Sequence, residues 1–230
     1  TPTVWSALGT GITPLALYLG GEALPEALRD AQHGTPTTNV YGPTETTIWS
    51  TFDPTLATPA SIGRPIANTV VYVVDPTTHT LVPPGVAGEL WIGGAGVARG
   101  YRNRPELTAA KFVPDPFGGD GRVYKTGDRV KWNADGELVF IGRFDHQVKV
   151  RGFRIELGEV EAALRANDGV NGAAVVVRNQ TLVAYVTPAS VDVAALQASL
   201  AATLPAHMVP SVIQPLEAFP LTTNGKLDRS

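Results

Sequence analysis

Cysteine is absent from the 230 residues, and only four histidines are present. The first absence excludes disulfides, thiolate metal sites and cysteine nucleophiles. The histidines do not have the spacing of metal ligands, so surface or core roles are expected for them. Any catalysis must therefore depend on carboxylates, hydroxyls and cationic side chains.

Long apolar runs are also missing. No run reaches the roughly 18 residues that a membrane-spanning helix needs, and no charged leader precedes an apolar stretch. We therefore expect a cytoplasmic protein with no membrane partner. The 18 Lys and Arg residues against 21 Asp and Glu give a net charge of −3, which offers no general attraction for nucleic acid. Small molecules and other proteins are the expected partners.

The first part of the chain alternates apolar segments with turns. An apolar run over residues 15–20 ends in Gly20-Gly21, and a helix is predicted over residues 25–33. A second strand is predicted to enter the turn at Gly42, and residues 46–52 are predicted to be extended. Loops of this kind meet at one sheet edge in α/β proteins, where ligands bind.

From residue 70 to 143 the pattern is typical of β structure. Apolar runs at 70–74, 89–92 and 129–140, the last broken by a turn at 133–136, predict a small barrel or curled sheet.

After Arg143 the pattern changes to a polar strand over 146–156 and then two helices separated by a hairpin at Asn179-Gln180. We therefore predict an α/β unit with a β-barrel over 1–144 and a separate α+β lobe over 145–230.

Three clusters carry chemistry. Tyr41, Thr44 and Glu45 place an aromatic ring, a hydroxyl and a carboxylate on one loop, which could cover a purine, contact a phosphate and hold Mg²⁺. A plain turn with a helix cap is the alternative.

The second cluster is Asp128 with Arg143, fifteen residues later; a carboxylate suits ribose hydroxyls and an arginine suits phosphate. A surface ion pair at a strand end is the alternative. Lys226 follows Asn224-Gly225 in the third cluster, where a flexible loop could deliver it to developing negative charge. A solvated tail is the alternative there.

In their order along the chain these motifs resemble the adenylate-forming superfamily. They are Tyr41-Gly42-Pro43-Thr44-Glu45, Gly88-Glu89-Leu90, Gly100-Tyr101, Thr126-Gly127-Asp128, Gly142-Arg143-Phe144-Asp145, Arg151-Gly152-Phe153-Arg154-Ile155-Glu156 and Asn224-Gly225-Lys226. Residues 112–117, 156–161 and 204–210 resemble the adenylation domains of nonribosomal peptide synthetases in particular. The resemblance implies the C-terminal part of the large adenylate-forming core, followed by a mobile lobe.

The resemblance also implies a role for each matching residue. Thr44 would contact phosphate, Glu45 would bind Mg²⁺, Asp128 would hold the ribose, and Arg143 would reach ribose and phosphate. Lys226 would bridge the substrate carboxylate and the adenylate. The nucleoside would be lined by Gly21, Glu22, Ala23, Asn39, Tyr41 and Phe140, the last standing where the family often has tyrosine.

Two further sets follow from the same resemblance. The amino-acid pocket would be formed by Tyr18, Gly20, Val40, Ile48 and Trp49. This set has two bulky aromatics and no charge, which favours a small substrate such as glycine; a flat Trp49 wall beside a larger apolar side chain, such as that of cysteine or valine, is the alternative. Asp145 would be the hinge of the mobile lobe, with Lys149 and Gly152 entering the site for thioester formation.

The implied activity is ATP-dependent formation of an aminoacyl adenylate, then transfer to the phosphopantetheine thiol of a carrier protein. A neighbouring condensation domain, a small activator protein and an antibiotic or siderophore product belong to the same expectation. Acyl-CoA or aryl-acid ligation and an inactive carrier-binding platform are the alternatives. The family's triphosphate-gripping loop and its amine-binding aspartate are not in the sequence, and we expect both upstream of Thr1.

Lys226 yields a first prediction, for a protein extended upstream to the length of such a domain (the extended protein). Lys226→Ala removes a cation from developing charge, so adenylate formation should fall by on the order of 10²-fold or more. Thioester transfer from preformed adenylate should be spared. Pyrophosphate exchange and single-turnover loading measure the two steps, and an equal loss in both would contradict the role given to Lys226.

Overall fold

The computed structural model describes residues 2, 15–22, 24, 35–56, 61–145 and 147–220. The helix predicted over 25–33, Ala23 and Lys226 lie outside the described residues. The chain divides into two compact units, residues 1–145 and 146–230, which are described separately below. The boundary predicted from the sequence lies one residue earlier, after Phe144. None of the helices in the described ranges is long and apolar enough to cross a membrane.

In its described residues, the first unit is built on a nine-stranded sheet. Its strands are β1 (Leu17–Gly20), β2 (Thr37–Tyr41), β3 (Thr51–Asp53), β4 (Ser61–Pro65), β5 (Thr69–Val74), β6 (Gly88–Gly94), β7 (Phe112–Pro114), β8 (Arg122–Trp132) and β9 (Leu138–Arg143). The order is β1-β2-β3-β4-β9-β8-β6-β5, and β7 pairs with β8. Strands β1 and β2 are parallel, whereas the other pairs are antiparallel. A short helix, α1 (Pro105–Lys111), precedes β7.

One apolar core collects side chains from most of this sheet. Its buried members are Tyr41, Ile62, Val73, Leu90, Ile92, Val130 and Leu138. Tyr41 of β2 and Val73 of β5 belong to strands far apart in the order, so the sheet must curl for both to reach the same core. A small barrel or curled sheet was predicted for this region; the described strands form a curled sheet that is not closed into a barrel, with β1 and β5 as the ends of its hydrogen-bonded path.

The second unit contains two small sheets and two helices in its described part. These elements are β10 (Gln147–Val150), β11 (Phe153–Glu156), α2 (Leu157–Arg165), β12 (Gly172–Arg178), β13 (Thr181–Thr187), α3 (Val193–Thr203) and β14 (Val212–Pro215). Asn179 and Gln180 have φ of 49° and 58°, the left-handed values that a two-residue hairpin turn requires, so the predicted hairpin is confirmed. The core of this unit includes Leu157, Val160 and Leu164 of α2, as predicted from their helical spacing.

Two predicted strands are wrong. Residues 46–52 do not form one extended segment, because a 3₁₀ turn spans Thr44–Thr46 and β3 starts only at Thr51. The polar strand predicted over 146–156 is a hairpin, with β10 and β11 joined at Arg151-Gly152, where φ is 51° and 81°. In both cases backbone turns with positive φ interrupt a sequence whose polarity pattern suits a continuous strand.

Leu164 offers a test of the apolar core of the second unit. Its side chain is fully buried, so Leu164→Ala should leave a cavity and lower the free energy of unfolding by about 2–5 kcal/mol. Val212→Ala is the control: it truncates a side chain of the same unit that is 48% exposed, and it should lower the free energy of unfolding by less. Urea denaturation followed by circular dichroism measures both, and equal losses would contradict the packing described.

Candidate functional site

The loop after β2 is folded tightly back on itself. The Ser50 amide donates to the Tyr41 carbonyl over 2.8 Å, and the hydroxyls of Thr46 and Ser50 lie 2.6 Å apart. A Cβ at position 42 would lie 2.5 Å from the Ile48 carbonyl oxygen, so only glycine fits where the loop folds back at Gly42. The loop therefore buries Glu45 and leaves Thr44 exposed.

Glu45 is held by a tyrosine from another segment. The Tyr101 hydroxyl donates to Oε1 of Glu45 over 2.6 Å and lies 3.3 Å from the Tyr124 hydroxyl. Burial raises the pKa of Tyr101, and the hydrogen bond to Glu45 raises it further. Tyr101 therefore remains a neutral phenol that donates a hydrogen bond to the carboxylate.

Asp128 is the centre of a second network. The strand pairing places it directly opposite Arg143, and its carboxylate accepts hydrogen bonds from the Tyr41 hydroxyl and from Nη1 of Arg143. The residue lies inside β8 and is 4% exposed. The alternative of a surface ion pair at a strand end is therefore wrong.

Tyr41 is fully enclosed in this network. Burial, followed by the adjacent charge of Asp128, raises the pKa of Tyr41 well above its usual value. Like Tyr101, it is a neutral phenol that donates to a carboxylate. Phe140 packs against the same apolar core as Tyr41, so two aromatic rings predicted to contact the nucleoside lie in one region.

Arg143 joins this network to the end of the first unit. Its Nη2 donates to the Thr126 carbonyl over 2.9 Å, while Nε and Nη2 donate to the two carboxylate oxygens of Asp145 over 2.6 and 2.7 Å. The predicted hinge residue is thus bonded directly to a predicted phosphate-contacting residue. Lys149 lies in β10 and Gly152 in the β10–β11 turn of the second unit.

Glu89 was not predicted as a site residue, although it supports Asp128. Its Oε1 accepts the Gly127 amide and its Oε2 accepts the Trp91 indole N–H, each over 2.9 Å. Gly127 has φ of 75°, which glycine adopts without strain. An acidic residue inside the apolar run of β6 is a signal that could have identified this buried support.

The remaining nucleoside residues lie near the ends of β1 and β2. Gly21 and Glu22 directly follow β1, and Gly21 has φ of 84°. The amide of Asn39 donates to the Ser61 carbonyl over 2.7 Å, so this side chain also ties β2 to β4.

Four of the five predicted pocket residues form two pairs. The rings of Tyr18 and Trp49 are stacked, with centroids 5.5 Å apart and planes 19° apart. Gly20 and Val40 are partners in the β1–β2 pairing, and a Cβ at Gly20 would overlap the Val40 carbonyl oxygen. Ile48, beside Trp49, is 70% exposed and has φ of 69°.

A divalent cation fits the donors of this loop. Mg²⁺ usually takes one or two protein carboxylates together with substrate phosphates. Glu45 supplies a carboxylate of fixed position and Thr44 a neighbouring exposed hydroxyl. Within the described ranges, no group of three or more His, Asp or Glu is arranged around a common metal position.

Both units match one family of known proteins. Residues 8–102 match the family model described as AMP-binding enzyme, and residues 159–226 match that of the AMP-binding enzyme C-terminal domain. A dimodular nonribosomal peptide synthase of Bacillus subtilis (strain 168) is 50% identical over 245 residues, covering 100% of this chain and 10% of the relative.

Solved structures of related proteins share the fold. Holo-PA1221, an NRPS protein containing adenylation and PCP domains, is 36% identical with a TM-score of 0.82, over 94% of this chain and 39% of that one. AB3403, a four-domain nonribosomal peptide synthetase bound to AMP and glycine, is 48% identical with a TM-score of 0.52, over 93% of this chain and 17% of that one. The chain therefore spans less than half the length of these relatives.

Stability at alkaline pH tests the enclosure of Tyr41. Because its pKa is raised, the native state keeps the phenol proton above about pH 10, where an unfolded tyrosine loses it. The free energy of unfolding should then fall with rising pH, by up to about 1.4 kcal/mol per pH unit for one phenol.

Tyr41→Phe removes this proton. Between about pH 10 and 12, the free energy of unfolding of the variant should therefore decline less steeply than that of the wild type. Urea denaturation at a series of pH values measures the slopes. Tyr18→Phe, which removes the hydroxyl of an exposed ring, is the matched control. Identical slopes for wild type and Tyr41→Phe would contradict the buried phenol.

Proposed function

Because the chain belongs to the AMP-binding enzyme family and resembles nonribosomal peptide synthetase adenylation domains over nearly its whole length, we propose that it forms part of an amino-acid-activating ligase. The proposed reaction forms an aminoacyl adenylate from an amino acid and ATP, and then loads a carrier protein.

The observation that carries the proposal is the buried network of Asp128, Tyr41 and Arg143. A carboxylate offers about four acceptor positions, so Asp128 can accept ribose hydroxyls in addition to these two donors. Arg143, held in place from two sides, provides a fixed cation for the α-phosphate. A surface that only docks a carrier protein has no use for a buried arrangement of this kind.

In the first half-reaction a carboxylate oxygen of the amino acid attacks the α-phosphorus of ATP, and the bond to the departing pyrophosphate breaks. The chain's residues act by position and charge. Glu45 and Thr44 would hold Mg²⁺, which when bound supplies charge neutralisation at the phosphates. Arg143 and Lys226 would balance the charge that develops around the α-phosphate.

In the second half-reaction the carrier's phosphopantetheine thiolate attacks the acyl carbon, and AMP leaves. Rotation of the second unit about Asp145, which withdraws Lys226 and delivers Lys149 and Gly152, is the proposed means of serving both steps. PA1221, which contains adenylation and PCP domains, supports a carrier partner. A neighbouring condensation domain, a small activator protein and a cytoplasmic location remain part of the proposal.

The proposed substrate is a small amino acid. The stacked Tyr18 and Trp49 take up volume, and the pocket set contains no charged residue that could pair with a charged substrate. The glycine bound in AB3403 is consistent with this choice. Acyl-CoA or aryl-acid ligation is a weaker candidate, because the 50% identical Bacillus relative is a peptide synthase.

Pyrophosphate exchange with the extended protein tests the function. Exchange should require ATP and a small amino acid, and mass spectrometry should then detect the aminoacyl group on an added carrier protein. Exchange with a fatty or aryl acid alone would favour the ligase alternative. No exchange with any acid, together with carrier binding, would favour the inactive platform.

The pocket gives a prediction of its own. Trp49→Ala should extend exchange toward larger apolar amino acids, because excluded volume is the proposed cause of selectivity. Leu107→Ala, which removes an exposed apolar side chain from α1, is the control and should leave the substrate range unchanged. A wild-type preference for a large or charged amino acid would contradict this interpretation.

A further inference from the structure

We propose that Tyr101 is a positioning residue, whose hydroxyl sets the orientation in which Glu45 meets the divalent cation of bound MgATP. The inference rests on the proposed function, since it requires Glu45 to be a metal ligand. Its basis is the 2.6 Å hydrogen bond from Tyr101 to Oε1 of Glu45. When one carboxylate oxygen is fixed, the direction of the other is restricted as well.

The Tyr101 side chain is itself held in position. Its backbone amide donates to Oγ1 of Thr108 over 2.9 Å, and its ring meets Phe112 edge-on with centroids 5.3 Å apart. Gly100 has φ of 134°, and a Cβ there would overlap the Thr108 side chain. The hydroxyl therefore reaches Glu45 from a fixed base.

The segment that carries Tyr101 also binds the backbone of the Glu45 loop. The Ala98 amide donates to the Glu45 carbonyl over 2.8 Å, and the Thr47 hydroxyl donates to the Gly96 carbonyl over 2.7 Å. A Cβ at Gly96 would lie 2.8 Å from the Thr46 carbonyl oxygen. Residues 96–101 thus hold both the main chain and the carboxylate of Glu45.

This arrangement matters for Mg²⁺ in particular. The ion demands near-ideal octahedral geometry, so a carboxylate that rotates binds it less well than one held in a single orientation. Partners that orient a metal ligand typically affect metal affinity or activity by about 10–100-fold. A neutral phenol fits this task because it donates one hydrogen bond and adds no charge that would compete with the cation.

Tyr101→Phe in the extended protein is the test, because it removes the hydroxyl and retains the ring. The Mg²⁺ concentration that gives half-maximal nucleotide binding should rise by about 10-fold. Fluorescence of a labelled ATP measures this without turnover, and the EPR spectrum of bound Mn²⁺–ATP should broaden because the ligand geometry is less uniform. Nucleotide affinity without metal should be unchanged.

Two further variants define the outcomes. Tyr124→Phe removes the neighbouring hydroxyl, 3.3 Å from that of Tyr101, and should leave the metal requirement near that of the wild type. Glu45→Gln removes the proposed ligand and should raise the requirement at least as much as Tyr101→Phe.

The inference is overturned, while the proposed function stands, if only Glu45→Gln raises the requirement. It is also overturned if Tyr124→Phe acts as strongly as Tyr101→Phe, or if Tyr101→Phe lowers thermal stability with an unchanged metal requirement. If neither Glu45→Gln nor Tyr101→Phe changes the requirement, the metal role of Glu45 fails as well.

Discussion

Glu45 and Asp128 are among the carboxylates buried in the first unit, and the rest of the site depends on how each of these two is hydrogen-bonded there. A buried carboxylate is costly unless donors replace the water that it loses. Tyr101 supplies the donor for Glu45, and Tyr41 with Arg143 supplies the donors for Asp128. Since these donors come from other segments, satisfying the carboxylates also fixes the loop after β2 against the sheet.

Arg143 extends this constraint beyond the site. One guanidinium contacts Asp128, the Thr126 carbonyl and Asp145, so three points of the chain share a single planar group. Planar guanidinium groups suit such shared carboxylate contacts better than lysine does. A ligand that redirects the Arg143 guanidinium would therefore alter its hydrogen bonds to Asp145, the last residue of the first unit.

Much of the fold could be predicted because apolar periodicity is local. The β segments at 70–74, 89–92 and 129–140, the Asn179-Gln180 hairpin and the buried face of α2 were predicted from spacing alone, whereas β7 and the first part of β8 were not. Asp128 and Arg143 were grouped because a carboxylate suits ribose and an arginine suits phosphate. Whether they pair directly, and whether the pair is buried, depends on strand register, which the sequence does not state. Glu89 and Tyr101 were not predicted as site residues, because their hydrogen-bond partners, Gly127 and Glu45, are distant in sequence. The turn at residues 46–50 was missed because its backbone conformation depends on closure against Tyr41.

Gly20 shows how the sheet limits the divergence of the proposed amino-acid pocket. Its position against the Val40 carbonyl leaves no space for a side chain unless β1 moves away from β2, so the main chain dictates this residue whatever the substrate. Tyr18 and Trp49 are exposed side chains that could be exchanged without moving any strand. If descendants of this sequence acquired a new amino-acid preference, substitutions at Tyr18 and Trp49 would be the accessible changes, and Gly20 would stay unchanged.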